Sequence, residues 1–171
     1  MFGAIQIAAF AFVITLIAGG GVSRAESVYA FATTPGRLPK NVLPIHYAID
    51  LNPDLTTLAV SGSEVVDIKV LDATDRLVLN AVDIVVQSAS LEGEAGQVAT
   101  ITSQPKAQTV TLAFPHALAA GPHKLRIAFT GRINSFGRGL FFVDYPTAHG
   151  RKRMIATELE PADARRVFPC W

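Results

Sequence analysis

The chain has 171 residues, with 15 Lys+Arg against 14 Asp+Glu and a formal net charge of +1. Half of it is apolar and 17% is charged, which excludes a long disordered polyelectrolyte, and the near-neutral balance argues against a dedicated nucleic-acid binder. A single cysteine, Cys170, excludes an intrachain disulfide and a thiolate metal cluster.

In chain order the first element is a leader. Ala4 to Ala18 form an apolar run broken only by Gln6 and Thr15. Three glycines follow, then Ser23-Arg24-Ala25 and Val28-Tyr29-Ala30, each ending in the small residue that signal peptidase requires. The run falls short of the ~20 residues that cross a bilayer core. No Lys or Arg precedes it, so only the terminal amine supplies positive charge. Residues 1–25 are therefore expected to be a signal peptide, with cleavage as late as residue 30 as a variant of that reading. The protein is expected to be exported, to the periplasm or the medium; anchoring in the membrane through an uncleaved leader is the alternative. Having one cysteine does not conflict with export, because a large exported domain need not carry disulfides. Residues 26–36 read as a short lead.

The rest reads as strands. Val66, Ile68 and Val70 alternate with Asp67 and Lys69; Val110, Leu112 and Phe114 alternate likewise, as do Leu125, Ile127 and Phe129. A period of two puts each trio on one face of a half-buried strand. Further strands are expected at Ile45–Leu51, Arg76–Asn80, Ile84–Leu91, Val98–Thr102, Leu140–Tyr145 and Met154–Leu159. Turns are expected at Asn52-Pro53-Asp54, Gly93 to Gly96, Ala120-Gly121-Pro122 and Asn134 to Gly139. No helix is expected after the leader. Short strands at this spacing predict an all-β, antiparallel sandwich or similarly curved sheet.

Charge is unevenly spread: Glu26 to His123 holds 5 basic and 10 acidic residues, and Lys124 to Trp171 holds 9 basic and 4 acidic. The split is expected to reflect pairing within the molecule, and Arg151-Lys152-Arg153 to mark a solvated turn or strand. Gly19-Gly20-Gly21 and Gly131 to Gly139 lack both dinucleotide and P-loop spacing, so nucleotide binding is discarded. No serine sits in G-x-S-x-G. His116 and His123 have no third ligand at metal spacing and read as surface or edge residues.

Arg37 to Leu51, with Arg37-Leu38-Pro39 and Pro44-Ile45-His46-Tyr47, resembles the opening of zinc aminopeptidases of the aminopeptidase N type. Val60-Ser61-Gly62 and the strand after it are similar to that family's next element. Gly131-Arg132-Ile133-Asn134, Gly139-Leu140-Phe141 and Tyr145 resemble its G-x-I-n…G-l-f…Y stretch. Most specific is Thr157-Glu158-Leu159-Glu160-Pro161-Ala162-Asp163-Ala164-Arg165 followed by Phe168-Pro169-Cys170-Trp171, against the family's T-Q-x-E-P-x-D-A-R…F-P-C-x-D-E-P. The resemblance covers residues 37–171.

It implies a saddle-like or sandwich N-terminal β domain, a downstream catalytic domain, zinc in the full-length relative, and the N-terminus of a peptide as substrate. Glu160 matches the family glutamate that receives the substrate α-ammonium, and Glu158 a position lining the pocket for the first side chain. Glu158 stands where most relatives place glutamine. If both carboxylates share a strand face, two apart, basic first residues should be preferred. Asp163 and Arg165 read as structural and pairing near the strand end, and Cys170 as a packed thiol.

Neither G-x-M-E-N nor H-E-x-x-H occurs in the chain. The chain alone is expected to hold no cofactor and to be inactive. An apolar end at Val167 to Trp171 is expected to lack anything to bury it, which favours a truncated product or a gene fragment. The alternative is a non-enzymatic exported β-sandwich module that binds a protein or glycan.

Overall fold

The computed structural model describes Phe31 and residues 34–171, so the expected leader and its cleavage sites lie outside the described residues. Alternation along β2 (Ala59–Val70) buries Glu64, Val66, Ile68 and Val70 on one face. This strand is interior to an antiparallel sheet of order β1-β2-β7-β4, with β1 at Val42–Asp54, β7 at Gly121–Arg132 and β4 at Val85–Leu91. Leu125, Ile127 and Phe129 of β7 stand opposite Val66, Glu64 and Gly62, so their side chains share the buried face. Gly62 is required there: a Cβ at that position would collide with the Phe129 ring. This gives a packing reason for the glycine of Val60-Ser61-Gly62.

A second antiparallel sheet, order β3-β6-β5, comprises Thr74–Asn80, Thr109–Leu118 and Thr100–Gln104. Its Leu77, Leu79, Val110, Leu112 and Phe114 join the buried residues of the first sheet in one hydrophobic core. Each wholly buried aliphatic or aromatic side chain of this kind contributes ~1.5–3 kcal/mol. The described residues are therefore all-β and antiparallel, as the alternation predicted.

Strands β8 (Gly139–Thr147) and β9 (Gly150–Glu158) form a separate hairpin. Its base rests on a second cluster of Val60, Ile133, Leu140 and Val167, with Phe142 and Ile155 packed alongside. Asn134 stitches the approach to β8: its side-chain amide donates to the Leu140 carbonyl at 2.9 Å, and its side-chain oxygen accepts from Phe136 N–H at 2.9 Å.

Several expectations are corrected. The turn expected at Asn52-Pro53-Asp54 lies within β1, which runs to Asp54 and pairs Pro53 with Val60. β1 is an edge strand, where a residue lacking an N–H is tolerated. The turn follows instead, its start fixed by Asp54 Oδ1, which accepts from Thr56 N–H at 2.8 Å. β5 begins at Thr100, and Val98 makes only an isolated bridge to Ser90. A 3-10 helix at Asp163–Arg166 was not expected, its four residues being too few for a periodic pattern.

The apolar end is not left exposed. Val167 and Cys170 are buried, and Phe168 and Trp171 pack against the main core. Cys170 bridges Asn80 through both backbone bonds, N–H to O at 3.0 and 2.7 Å. Burial pushes the Cys170 thiol up to about 11, as suits a packed thiol.

Candidate functional site

The hairpin register places Glu158 as the last residue of β9, opposite Gly139, the first of β8. The chain then leaves the ladder, so Glu160 is not on the strand and the two carboxylates do not share a strand face, contrary to the expectation from alternation. Instead Glu158 Oε1 accepts a hydrogen bond from the Glu160 backbone N–H at 3.0 Å. Both residues are exposed, and among the described residues no hydrogen bond or ion pair engages the Glu160 carboxylate. The arrangement leaves an accessible anion on a short segment between a strand end and a 3-10 helix.

That segment is fastened on its far side. Asp163 N–H donates to Leu159 O at 2.8 Å, closing the turn Leu159–Asp163. The Asp163 carboxylate is buried and takes two guanidinium groups: Arg138 Nε at 2.9 Å on Oδ2 and Arg166 Nε at 2.9 Å on Oδ1. Burial alone would raise its pKa, but the hydrogen bonds from Arg166 and Arg138 outweigh it and hold the carboxyl below its ordinary range. Arg166 Nη1 also reaches Asp83 Oδ2 at 3.2 Å.

The partner expected for Asp163 was Arg165; the structure instead turns Arg165 away, its Nε donating to the Ala162 carbonyl at 2.8 Å. Sequence reasoning missed Arg138 and Arg166. The second was visible as an i, i+3 acid–base pair; the first, 25 residues distant, carried no local signal.

Elsewhere the histidine expectation needs revision. His123 is largely buried between acceptors, with Nδ1 2.6 Å from Glu94 Oε1 and Nε2 2.8 Å from the Ala119 carbonyl. A carbonyl oxygen and a carboxylate can only accept, so this geometry suits the imidazolium form. Partial burial pulls its pKa down, but the Ala119 and Glu94 contacts prevail and raise it. His116 is exposed, as expected.

The charge split is partly resolved by pairing between the two halves: Lys124 with Asp67 at 2.6 Å, Arg126 with Glu92 at 3.1 Å, and Arg166 with Asp83. Arg151-Lys152-Arg153 lies on exposed β9, where Arg153 grips Asp144 at 2.7 and 2.8 Å.

Among the described residues no three His, Cys, Asp or Glu side chains converge to hold a metal ion. The described residues do not fit a zinc centre.

Comparison with known proteins agrees with this architecture. Residues 43–171 match the family described as the Peptidase M1 N-terminal domain. The chain is 37% identical over 161 residues to an aminopeptidase N from Acetobacter pasteurianus, covering 92% of this chain and 45% of that protein. It is 36% identical over 135 residues to aminopeptidase 2 of Candida albicans, covering 78% of this chain and 14% of that one. With the endoplasmic reticulum aminopeptidase 2 of Bos taurus it shares 34% identity over 144 residues, 79% of this chain and 15% of the relative. The chain belongs to the peptidase M1 N-terminal domain family and is an N-terminal domain of the aminopeptidase N type. It spans less than half of the length of these curated relatives.

Proposed function

We propose that this chain is the substrate-recognition and scaffold domain of an exported zinc metallo-aminopeptidase that removes N-terminal residues from peptides. The two sheets around one core form its saddle-like sandwich, and the leader directs it out of the cytoplasm. Zinc and the peptide-cleaving groups belong to a downstream catalytic domain, which is the principal partner of this one.

The chain's own contribution is the Glu158–Pro161 segment. An exopeptidase must select a free α-ammonium group, and a carboxylate meets it with charge-assisted hydrogen bonds. Glu160 supplies that carboxylate, and Glu158 lies beside it to meet the first side chain. The observation that carries the reading is that the Glu160 carboxylate is exposed and unengaged among the described residues, on a segment closed by the Leu159–Asp163 turn.

Reading the coding sequence beyond Trp171 tests the assignment. An open frame encoding G-x-M-E-N and H-E-x-x-H is expected. A stop codon followed by unrelated sequence would overturn it in favour of a non-enzymatic exported module.

A further inference from the structure

Asp163 joins three parts of the chain at one buried carboxylate. Through Arg138 it holds the residue just before β8, and β8 begins at Gly139, directly opposite Glu158. Through its own N–H it holds Leu159, one residue before Glu160. Through Arg166 it is tied to Asp83, between β3 and β4, on the body of the domain.

The packing leaves this clasp little freedom. Gly139 adopts φ +64°, and a Cβ there would come within 2.6 Å of Arg166 Cβ, so the arginine stem lies flush against the start of β8. The Arg165 carbonyl accepts from Val82 N–H at 2.8 Å, pinning the 3-10 helix to the β3–β4 connection, and Val167 is buried next to it. Glu160 therefore lies between two fixed points: the Glu158–Gly139 ladder end before it, and the Asp163 clasp after it. These two points fix the backbone from which the exposed Glu160 side chain projects.

We infer that Asp163 is a positioning residue for Glu160, with Arg138 and Arg166 as the two arms that fix the backbone segment carrying Glu160. This rests on the reading of Glu160 as the amine anchor only for its functional consequence; the clasp itself is a property of the chain. Neutralising Asp163 weakens both guanidinium contacts at once while leaving the side-chain shape unchanged. The Leu159–Asp163 turn then opens locally, because its bonds lie outside the β2–β7 ladder. Charge-assisted hydrogen bonds are the strong ones, so the local opening should be large.

Amide hydrogen exchange of the chain, wild type against Asp163→Asn, tests this. The Glu160, Asp163 and Val167 amides, bonded to Glu158 Oε1, Leu159 O and Ala164 O, are the local reporters. Core amides of β2 and β7 report global unfolding. The expected result is exchange accelerated about tenfold or more at the local reporters and unchanged in β2 and β7. Arg138→Gln, which removes one exposed arm, should give a smaller acceleration at the same amides. Unchanged local exchange, or equal acceleration everywhere, would overturn the inference.

Kinetics of the complete aminopeptidase carrying this domain keep the two readings apart. Asp163→Asn should raise KM more than it lowers kcat, and a fall in kcat alone would count against positioning. If Glu160→Gln left activity intact while the local exchange effect persisted, the amine-anchor reading would fail and the clasp would stand.

Discussion

The Tyr47 hydroxyl on β1 accepts a hydrogen bond from the backbone N–H of Trp171 at 3.1 Å, joining two motifs 124 residues apart. The Tyr47 and Phe168 rings pack in a tilted arrangement at 5.9 Å between centroids, inclined by 58°. The tyrosine of the opening Pro-x-x-Tyr segment and the terminal Phe-Pro-Cys-Trp are thus one packing unit. Burial pushes the Tyr47 phenol well above its ordinary range, so it stays neutral.

Removing only that hydroxyl tests the closure. Tyr47→Phe retains the ring and leaves the Trp171 N–H without its acceptor, so unfolding stability should drop by ~1 kcal/mol. Urea denaturation is the measurement. A midpoint equal to wild type would mean that the contact contributes nothing.

Glu64 makes a stronger prediction. It sits in the middle of β2, 1% exposed, opposite Ile49 and Ile127, and both carboxylate oxygens lack a hydrogen-bond partner among the described residues. Burial pushes its carboxyl up to about 8. The folded state therefore keeps a proton that the unfolded state releases near the ordinary glutamate value. The favourable contribution of the neutral group is complete below that value and is lost as pH rises through the raised one. Wild-type stability should fall by roughly 1.4 kcal/mol per pH unit across this window and level off above it. Glu64→Leu should remove most of that slope and stabilise the domain by about 1–3 kcal/mol at neutral pH. Parallel pH profiles of wild type and variant would contradict the assignment.

Specificity is the third prediction. Glu158 keeps one oxygen on the Glu160 N–H, and its second oxygen is available to a cation. Glu158→Gln retains an acceptor for that N–H and removes only the charge. In the complete enzyme the ratio of kcat/KM for arginyl over leucyl substrates should drop roughly tenfold, since arginine binds a carboxylate through a planar fork. An unchanged ratio would show that Glu158 takes no part in selecting the first residue.

The sequence analysis and the structure agree where side chains alternate. Val66, Ile68, Val70, Leu125, Ile127 and Phe129 lie on the buried face because a half-buried strand has one apolar side, a property each segment carries locally. What the sequence hid is long-range. Glu64 occupies a core position on that same face, yet a charged residue in an alternating strand reads as solvent-facing. Arg138 finds Asp163, and Tyr47 finds Trp171, only once the sheets are assembled. Glu158 and Glu160 would share a face only on a strand running through Glu160; the ladder stops at Glu158, and the two-apart argument stops with it.

The central claim is that Glu160 receives the free amine of the substrate. It is tested most directly by kcat/KM of the complete aminopeptidase carrying this domain, wild type against Glu160→Gln, on leucyl, arginyl and alanyl substrates. Charge-assisted hydrogen bonds contribute ~1.5–3 kcal/mol, so kcat/KM should fall by roughly ten- to a hundredfold on all three, since each presents the same α-ammonium group. A kcat/KM that stays at the wild-type value on these substrates would contradict the account.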